Sequence, residues 1–322
     1  MIRQKGINLH FNTGIYSSII AVITLLLTNI HPLSAAETRH NTSVNPEIPL
    51  KMKFAGETVD FDRLDMYERL DRELTSMVYG HSNTLLTLKR ANRYAPIIIP
   101  ILKANGVPTD LFYLAAVESY FNPRAYSPAK AAGLWQFLAT TGKQYGLEIN
   151  DEVDERYCPE KATVAACKYL KKAYANYGDW ATVMASYNGG MARISKELEQ
   201  QLQDCSSDLY LTEETSRYVF RIYAMKLILE NPKMFGFEVT DKQLYQPVEY
   251  KTVEVKGAVP SWSAWAKKHG ISYAQLREAN PWIRKNTLTN KLNKTYKVKI
   301  PKKEDLYRSK REFKTYNNNW TK

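Results

Sequence analysis

From residue 61 onward the apolar positions fall at helical spacing. Leu64, Tyr67, Leu70, Leu74 and Met77/Val78 recur at three and four residues, and Gly80 stands where such a helix stops. A second helix is predicted over 83–105, with Pro96 and Pro100 placed to break or kink it and Gly106 to end it. Further helical stretches follow at 110–120, after Pro108-Thr109, and at 159–177, 179–202 and 213–231. Strand signals are nearly absent before residue 245, so this part reads as a helical domain of six or more helices. The composition changes at 237–247, a hinge. Beyond it 250–255 alternates as a strand, 261–269 is a short helix stopped by Gly270, 272–280 is a second, and 296–300 alternates again before Pro301. That order, strand, helix, helix, strand, fills about 50 residues, enough for a small module of marginal independent stability.

Ahead of the helices lies a different pattern. Arg3 and Lys5 make a basic start, 15–30 is an apolar run interrupted by Thr24, Thr28 and Asn29, and Ser34-Ala35-Ala36 offers small residues for cleavage before Glu37. This reads as a secretory signal, because an uncleaved anchor needs about 20 apolar residues. No Cys follows the run to carry a lipid. The division expected is therefore a signal peptide at 1–36, a polar linker at 37–60, a helical domain at 61–236, a linker at 237–248, a βααβ module at 249–301 and a basic tail at 302–322. The chain is expected to be exported, to the periplasm or cell envelope.

Composition adds two constraints. Aromatics reach 12% with 22 Tyr, which leaves aromatic surface beyond a core for a groove of the kind that carbohydrate suits. The net charge of +12 favours polyanionic surroundings: nucleic acid, acidic lipid or anionic wall polymers. The basic residues are dispersed apart from the tail, with no nucleic-acid reading motif, so no nucleic-acid partner is expected. Peripheral association with a membrane stays compatible with the charge, and a monomer is expected. Cys158, Cys167 and Cys205 are the three cysteines. Cys158 and Cys167 are too far apart along a helix for an easy bridge, so any disulfide would engage Cys205 with one of them, and the pairing stays open. No CxxC or Cys/His cluster has metal spacing, so neither metal nor cofactor is expected.

The candidate chemistry sits in 111–119. Leu111, Leu114, Ala115 and Glu118 share one helical face, which sets a carboxyl group at the end of an apolar stripe. Desolvation there would raise its pKa, as a general acid near neutral pH requires. Position alone also allows a solvated Glu118, or one paired with Arg124.

Three motifs change that balance: AVESYFNPRAYSPAKAAGLWQF, GDWATVMASYNGG and EETSRYVF, in this order. Together they resemble the signatures of the goose-lysozyme-type lytic transglycosylases of glycoside hydrolase family 23, most closely the membrane-bound lytic murein transglycosylase D branch. The resemblance spans roughly 107–235 and implies a lysozyme-like, mainly α catalytic domain. It implies Glu118 as the catalytic acid/base and Ser119 as the residue that helps orient the substrate or the glutamate. Gly133-Leu134-Trp135-Gln136 stands for Gly-Leu-Met-Gln, implying Gln136 as a sugar ligand. Ser186-Tyr187-Asn188 stands for Ala-Tyr-Asn, implying Tyr187 and Asn188 in the site. Glu214-Thr215 with Tyr218-Val219 matches the Glu-Thr-x-x-Tyr-Val segment, implying Glu214 in the site and Tyr218 in the groove near Glu118, and Phe220 stands where the family has Pro. Trp180 reads as core, packing a helix start.

The resemblance further implies the reaction. Glycosidases ordinarily use two carboxyls; here Glu118 would protonate the β-1,4 oxygen between N-acetylmuramic acid and N-acetylglucosamine, the substrate's acetamido group would support the developing charge, and the carboxylate would then deprotonate the C6 hydroxyl that attacks C1. The product would be a 1,6-anhydromuramic end, and peptidoglycan glycan strands the partner. A muramidase-type hydrolase would need a second carboxyl, for which Asp151 or Asp154 could be named without support from their spacing. A non-catalytic peptidoglycan-binding scaffold should have lost Glu118 or the tyrosines. Finally, the segment from Tyr250 to Pro301 resembles a LysM domain, with Gly257-Ala-Val-Pro260-Ser-Trp262 departing from the usual Gly-Asp-Thr-Leu loop. It would bind glycan and act by tethering, or would only pack against the enzyme.

Overall fold

A computed structural model describes residue 45 and residues 47–321; the predicted signal at 1–36 lies outside the described residues. The described chain opens with a hairpin, β1 (Lys51–Phe54) and β2 (Glu57–Asp60), antiparallel in the register Lys51↔Asp60 to Phe54↔Glu57. This corrects the reading of 37–60 as linker. The alternation was present in Lys-Met-Lys-Phe: Met52 and Phe54 enter the core while the lysines stay in water. Ala55 and Gly56 close the turn with φ of 53° and 89°, the left-handed pair that a two-residue hairpin loop needs. Asp110 Oδ2 then accepts from the Ala55 N–H at 2.7 Å and fastens the hairpin to the helical domain.

Eight helices follow: α1 (Leu64–Tyr79), α2 (His81–Ala104), α3 (Phe112–Ser119), α4 (Ala139–Gln144), α5 (Pro159–Tyr177), α6 (Trp180–Gly189), α7 (Met191–Gln201) and α8 (Glu213–Glu230). Pro96 and Pro100 lie inside α2, which runs through both as one helix. Each removes a backbone donor at a cost near 3 kcal/mol; burial of Leu88, Ala91, Ala95, Ile98 and Leu102 along the same element outweighs it. The predicted helix at 179–202 is two, because Gly190 takes φ 85° between α6 and α7. Asp179 caps α6 by accepting from Thr182 N–H at 2.8 Å, and Trp180 is buried at its start, stacked on Tyr174. The short α4 carried too little periodicity to be predicted.

Helix α8 is the axis of the domain. Tyr218, Val219, Phe220, Ile222, Tyr223, Ala224 and Met225 are all buried, so it is surrounded on nearly every side by α1, α3 and α6. Glu73 of α1, 1% exposed, accepts from Arg217 of α8 at 2.6 Å, a buried ion pair that sets the rotation of one helix against the other.

After α8 the chain does not loosen. Phe237, Val239 and Leu244 belong to the helical core, His81 stacks on Phe237, and the Tyr245 N–H bonds Lys89 O. The segment read as a linker at 237–248 is thus packed. The βααβ module follows as β3 (Tyr250–Val255), α9 (Trp262–Lys268), α10 (Tyr273–Ala279) and β4 (Tyr296–Pro301), with β3 and β4 antiparallel from Tyr250↔Pro301 to Val255↔Tyr296. Ser261 and Ser272 cap the two helices. Its small core contains Trp262, Leu276, Ile283 and Val298, and is completed by Val153 of the helical domain.

The basic tail also needs correction. Residues 302–321 fold back along α2 and α8: Asn92 bonds the backbone at Lys314 and Tyr316, and buried Trp320 donates its indole N–H to Leu229 O at 2.7 Å. Trp320 sits in the helical core cluster.

Candidate active site

Glu118 lies in the last turn of α3, whose Phe112, Leu114, Ala115 and Ala116 are buried. The helix stops abruptly there. Tyr120 and Phe121 both take φ 51°, a left-handed pair of non-glycine residues that turns the chain away and leaves the carboxyl at the helix end. Glu118 keeps part of its surface open to solvent, yet protein closely surrounds its carboxyl group. Burial pushes its pKa from the ordinary 4.5 to about 7, against the Tyr218 hydrogen bond that lowers it, and with the charge of Glu214 adding to the rise.

Tyr218 comes from α8 and is 2% exposed; its hydroxyl donates to Glu118 Oε1 at 2.5 Å. Burial and the nearby Glu118 charge hold its phenol protonated, far above the ordinary range, so it acts as a donor. Tyr187, from α6, feels the Glu118 charge too, and donates to Trp135 O at 2.7 Å. The structure therefore converges α3, α6, α8 and the 125–137 loop on one carboxyl.

The loop is held from behind. Arg156, buried against Asp154, donates to Lys130 O and Phe137 O at 2.9 and 3.0 Å. Gly133 has φ 78°, and a Cβ there would lie 1.9 Å from Arg156 O, so only glycine fits. Gln136, at φ 47°, gives its Nε2 to Gly133 O at 2.8 Å and Ala125 O at 3.3 Å; its Oε1 has no protein partner among the described residues. Asn188 accepts on Oδ1 from Thr215 at 2.9 Å, which leaves its Nδ2 unpartnered in the same sense.

Of two further site residues, one lies away from open surface beside the carboxyl and one at its edge. Ser119 is buried, and its hydroxyl is within reach of Ala115 O and Leu134 O, at 3.1 and 2.9 Å. It binds α3 to the 125–137 loop and has no open face for a substrate. Glu214 is exposed and paired with Arg221 at 2.9 Å, at the rim. Trp135, at the motif's Met position, is core: its indole donates to Thr163 at 2.9 Å. The alternative partner for Glu118, Arg124, instead pairs with Glu278 of the βααβ module. Asp154 is consumed by Arg156, and exposed Asp151 pairs with Lys285 at 3.1 Å. Arg156 was missed in the sequence, where nothing marks an arginine that works through backbone carbonyls.

The 560 Å³ cavity lined by Arg63, Arg69, Thr215 and Tyr223 does not include Glu118. No group of three or more His, Cys, Asp or Glu able to hold a metal occurs among the described residues. All three cysteines, Cys158, Cys167 and Cys205, are free thiols. Burial raises the Cys158 thiol to about 12.

The geometry defines a mainly helical domain that holds a buried, hydrogen-bonded carboxyl at the end of α3, followed by a small βααβ module. Comparisons with known proteins agree: residues 96–207 match the family described as Transglycosylase SLT domain, and residues 251–304 match the soluble lytic transglycosylase C-terminal LysM-like domain. The chain is 32% identical over 235 residues to the membrane-bound lytic murein transglycosylase D of Escherichia coli strain K12, covering 69% of this chain and 48% of that relative. It thus spans about half the length of the curated relatives it matches first. Over 94 residues it is 38% identical to the peptidoglycan transglycosylase gp16 of Escherichia phage T7, covering 28% of this chain and 7% of that one. Among solved structures, the 70 kDa soluble lytic transglycosylase of Escherichia coli aligns with a TM-score of 0.40 at 20% identity, covering 57% of this chain and 38% of that chain.

Proposed function

We propose that this chain is a peptidoglycan lytic transglycosylase that cleaves the β-1,4 bond between N-acetylmuramic acid and N-acetylglucosamine and leaves 1,6-anhydromuramic ends. The observation that carries this reading is the Glu118 carboxyl, raised to about 7 and hydrogen-bonded by Tyr218. A group near pH 7 gives a proton and takes one back with comparable ease, which one residue serving as acid and then base requires. In the first half Glu118-COOH protonates the glycosidic oxygen while the substrate's acetamido group supports C1. In the second the carboxylate accepts the C6 hydroxyl proton as that oxygen attacks C1. Tyr218 limits the rise in pKa by stabilising the carboxylate between the halves.

Gln136 Oε1 and Asn188 Nδ2, the unpartnered acceptor and donor, are assigned to sugar hydroxyl and acetamido groups. Tyr187 offers its ring edge, Glu214 tunes Glu118 from the rim, and Ser119 positions Glu118 without touching sugar. Hydrolysis is disfavoured because Asp154 is buried in its pair with Arg156 and so is not free to activate water. The reading extends to an exported chain acting in the cell envelope, with 1–36 as the leader, 61–236 as the catalytic domain and 249–301 as the LysM-like module. Among the described residues no helix is long and apolar enough to cross a membrane. Mass spectrometry of soluble products from purified peptidoglycan tests the reaction: anhydromuramyl ends are expected, and reducing muramyl ends or no release would overturn it.

A further inference from the structure

The seam between the helical domain and the LysM-like module holds a cavity of about 680 Å³ that no step above uses. One wall carries Arg124, Tyr126, Arg156 and Tyr157; the other carries Tyr273, Arg277 and Arg284. The module is fixed there rather than tethered. The Asp154 N–H bonds Trp282 O at 2.9 Å, the Arg284 N–H bonds Glu152 O at 2.8 Å, and Glu148 receives Lys294 and Tyr296 at 2.9 and 3.0 Å.

Two of the four arginines have carboxylate partners, Asp154 for Arg156 and Glu278 for Arg124. Arg277 and Arg284 have none among the described residues. Arg277 gives Nη1 to the Tyr273 hydroxyl at 2.7 Å, while its Nε is buried with no acceptor. Arg284 lies over the Tyr157 ring at 4.3 Å and spends Nη1 on Pro281 O at 3.3 Å. Two guanidinium groups are thus stacked or hydrogen-bonded into fixed positions with spare donors, the preorganised forks that fit a carboxylate. Tyr126 is 58% exposed and offers a ring face to sugar. Tyr126 follows Ala125, whose carbonyl accepts from the Gly133 N–H at 2.9 Å and from Gln136, so this wall continues the loop that reaches the catalytic carboxyl.

Resting on the function proposed above, we propose that the seam is a second glycan subsite whose Arg277 and Arg284 bind a carboxylate of the wall polymer. That carboxylate is either the lactyl group of muramic acid stripped of its peptide or a carboxyl of the stem peptide. Its place between rigid domains makes it a ruler for a strand already engaged at Glu118.

Calorimetric titration of the full chain carrying Glu118→Gln, which prevents turnover, tests the subsite with three probes: chitotetraose, a peptide-free N-acetylglucosaminyl-N-acetylmuramyl tetrasaccharide, and that tetrasaccharide bearing tetrapeptides. Adding Arg277→Gln and Arg284→Gln is expected to weaken carboxylate-bearing probes by roughly tenfold and to leave chitotetraose unchanged. Loss with the peptide-free probe alone assigns the lactyl carboxyl, which the peptide-bearing probe holds as an amide; loss with the peptide-bearing probe alone assigns the stem, and loss with both supports an arginine pair that accepts either carboxylate. Equal loss for chitotetraose, no loss for either muramyl probe, or no binding of any probe overturns the subsite. Arg277→Lys with Arg284→Lys, which keeps the charge, should recover part of the affinity, and circular dichroism of each variant separates misfolding from lost recognition. Product analysis with the unmodified chain decides the function separately: anhydromuramyl release with no effect of the arginines would sink the subsite alone.

Discussion

The Tyr218 hydroxyl donates to Glu118 Oε1 at 2.5 Å, joining residues a hundred positions apart in the chain. The bond favours the charged carboxylate, while burial favours the neutral acid and wins, which sets the carboxyl near 7 rather than higher. Tyr218→Phe removes the opposing influence and leaves the burial. The Glu118 pKa should rise, the alkaline limb of kcat/KM should move to higher pH by about one unit, and kcat should fall by roughly 10- to 100-fold. A pH–rate profile of the variant checks this; an unmoved limb would show that the bond does not tune the acid.

Glu118→Gln should abolish cleavage of peptidoglycan while leaving binding to it in place, since the amide fills the same volume and cannot exchange a proton. Pull-down on insoluble peptidoglycan beside product release measures the two effects separately. Retained turnover would exclude proton transfer by Glu118.

The same carboxyl predicts a pH dependence of stability. Its folded pKa of about 7 lies above the ordinary 4.5, so between these values the folded chain holds a proton that the unfolded chain releases. The contribution of this group is full below pH 4.5 and is lost as pH rises through 7. Glu118→Gln cannot ionise, so it should become more stable relative to the unmodified chain across that window. The gain should be on the order of 1–2 kcal/mol, allowing for the part of the side chain that water reaches. Thermal melts of both proteins at pH 4.5 and 8 check the sign.

Gly133→Ala should be severely damaging, because it combines a left-handed backbone with a Cβ 1.9 Å from Arg156 O. The Arg156 carbonyl cannot retreat without disturbing the buried pair to Asp154, so a loss of at least about 2 kcal/mol and a displaced Gln136 are expected. Activity should fall further than stability. Denaturant unfolding and turnover, measured together, would reveal the opposite ordering if the loop were only structural.

Trp320→Ala should destabilise the helical domain by about 3 kcal/mol, although the residue lies far along the chain from that domain's helices. It empties a buried indole site and orphans the Leu229 carbonyl. A melting temperature unchanged by the substitution would mean that the tail does not hold this position.

The helical class, most helix positions, the order strand, helix, helix, strand and the placing of Glu118 at the end of an apolar stripe were legible in the sequence, because they follow from periods of 3.6 and 2 and from local caps. The same local reasoning misjudged four segments. The hairpin at 51–60 was too short and too polar to stand out, the helix at 179–202 hid its break at Gly190, and the segments at 237–248 and 302–322 looked like linker and tail because their partners, such as Lys89, Asn92 and Leu229, come from distant helices. The motif resemblance already set Tyr218 near Glu118; tertiary structure alone decided that its hydroxyl donates to the carboxyl, that Ser119 faces backbone and that Arg156 clamps the loop. It also decided that the LysM-like module is docked. Periodicity records which face of an element avoids water; the pKa of a carboxyl, and the partner of a hydrogen bond, depend on what the other elements bring to that face.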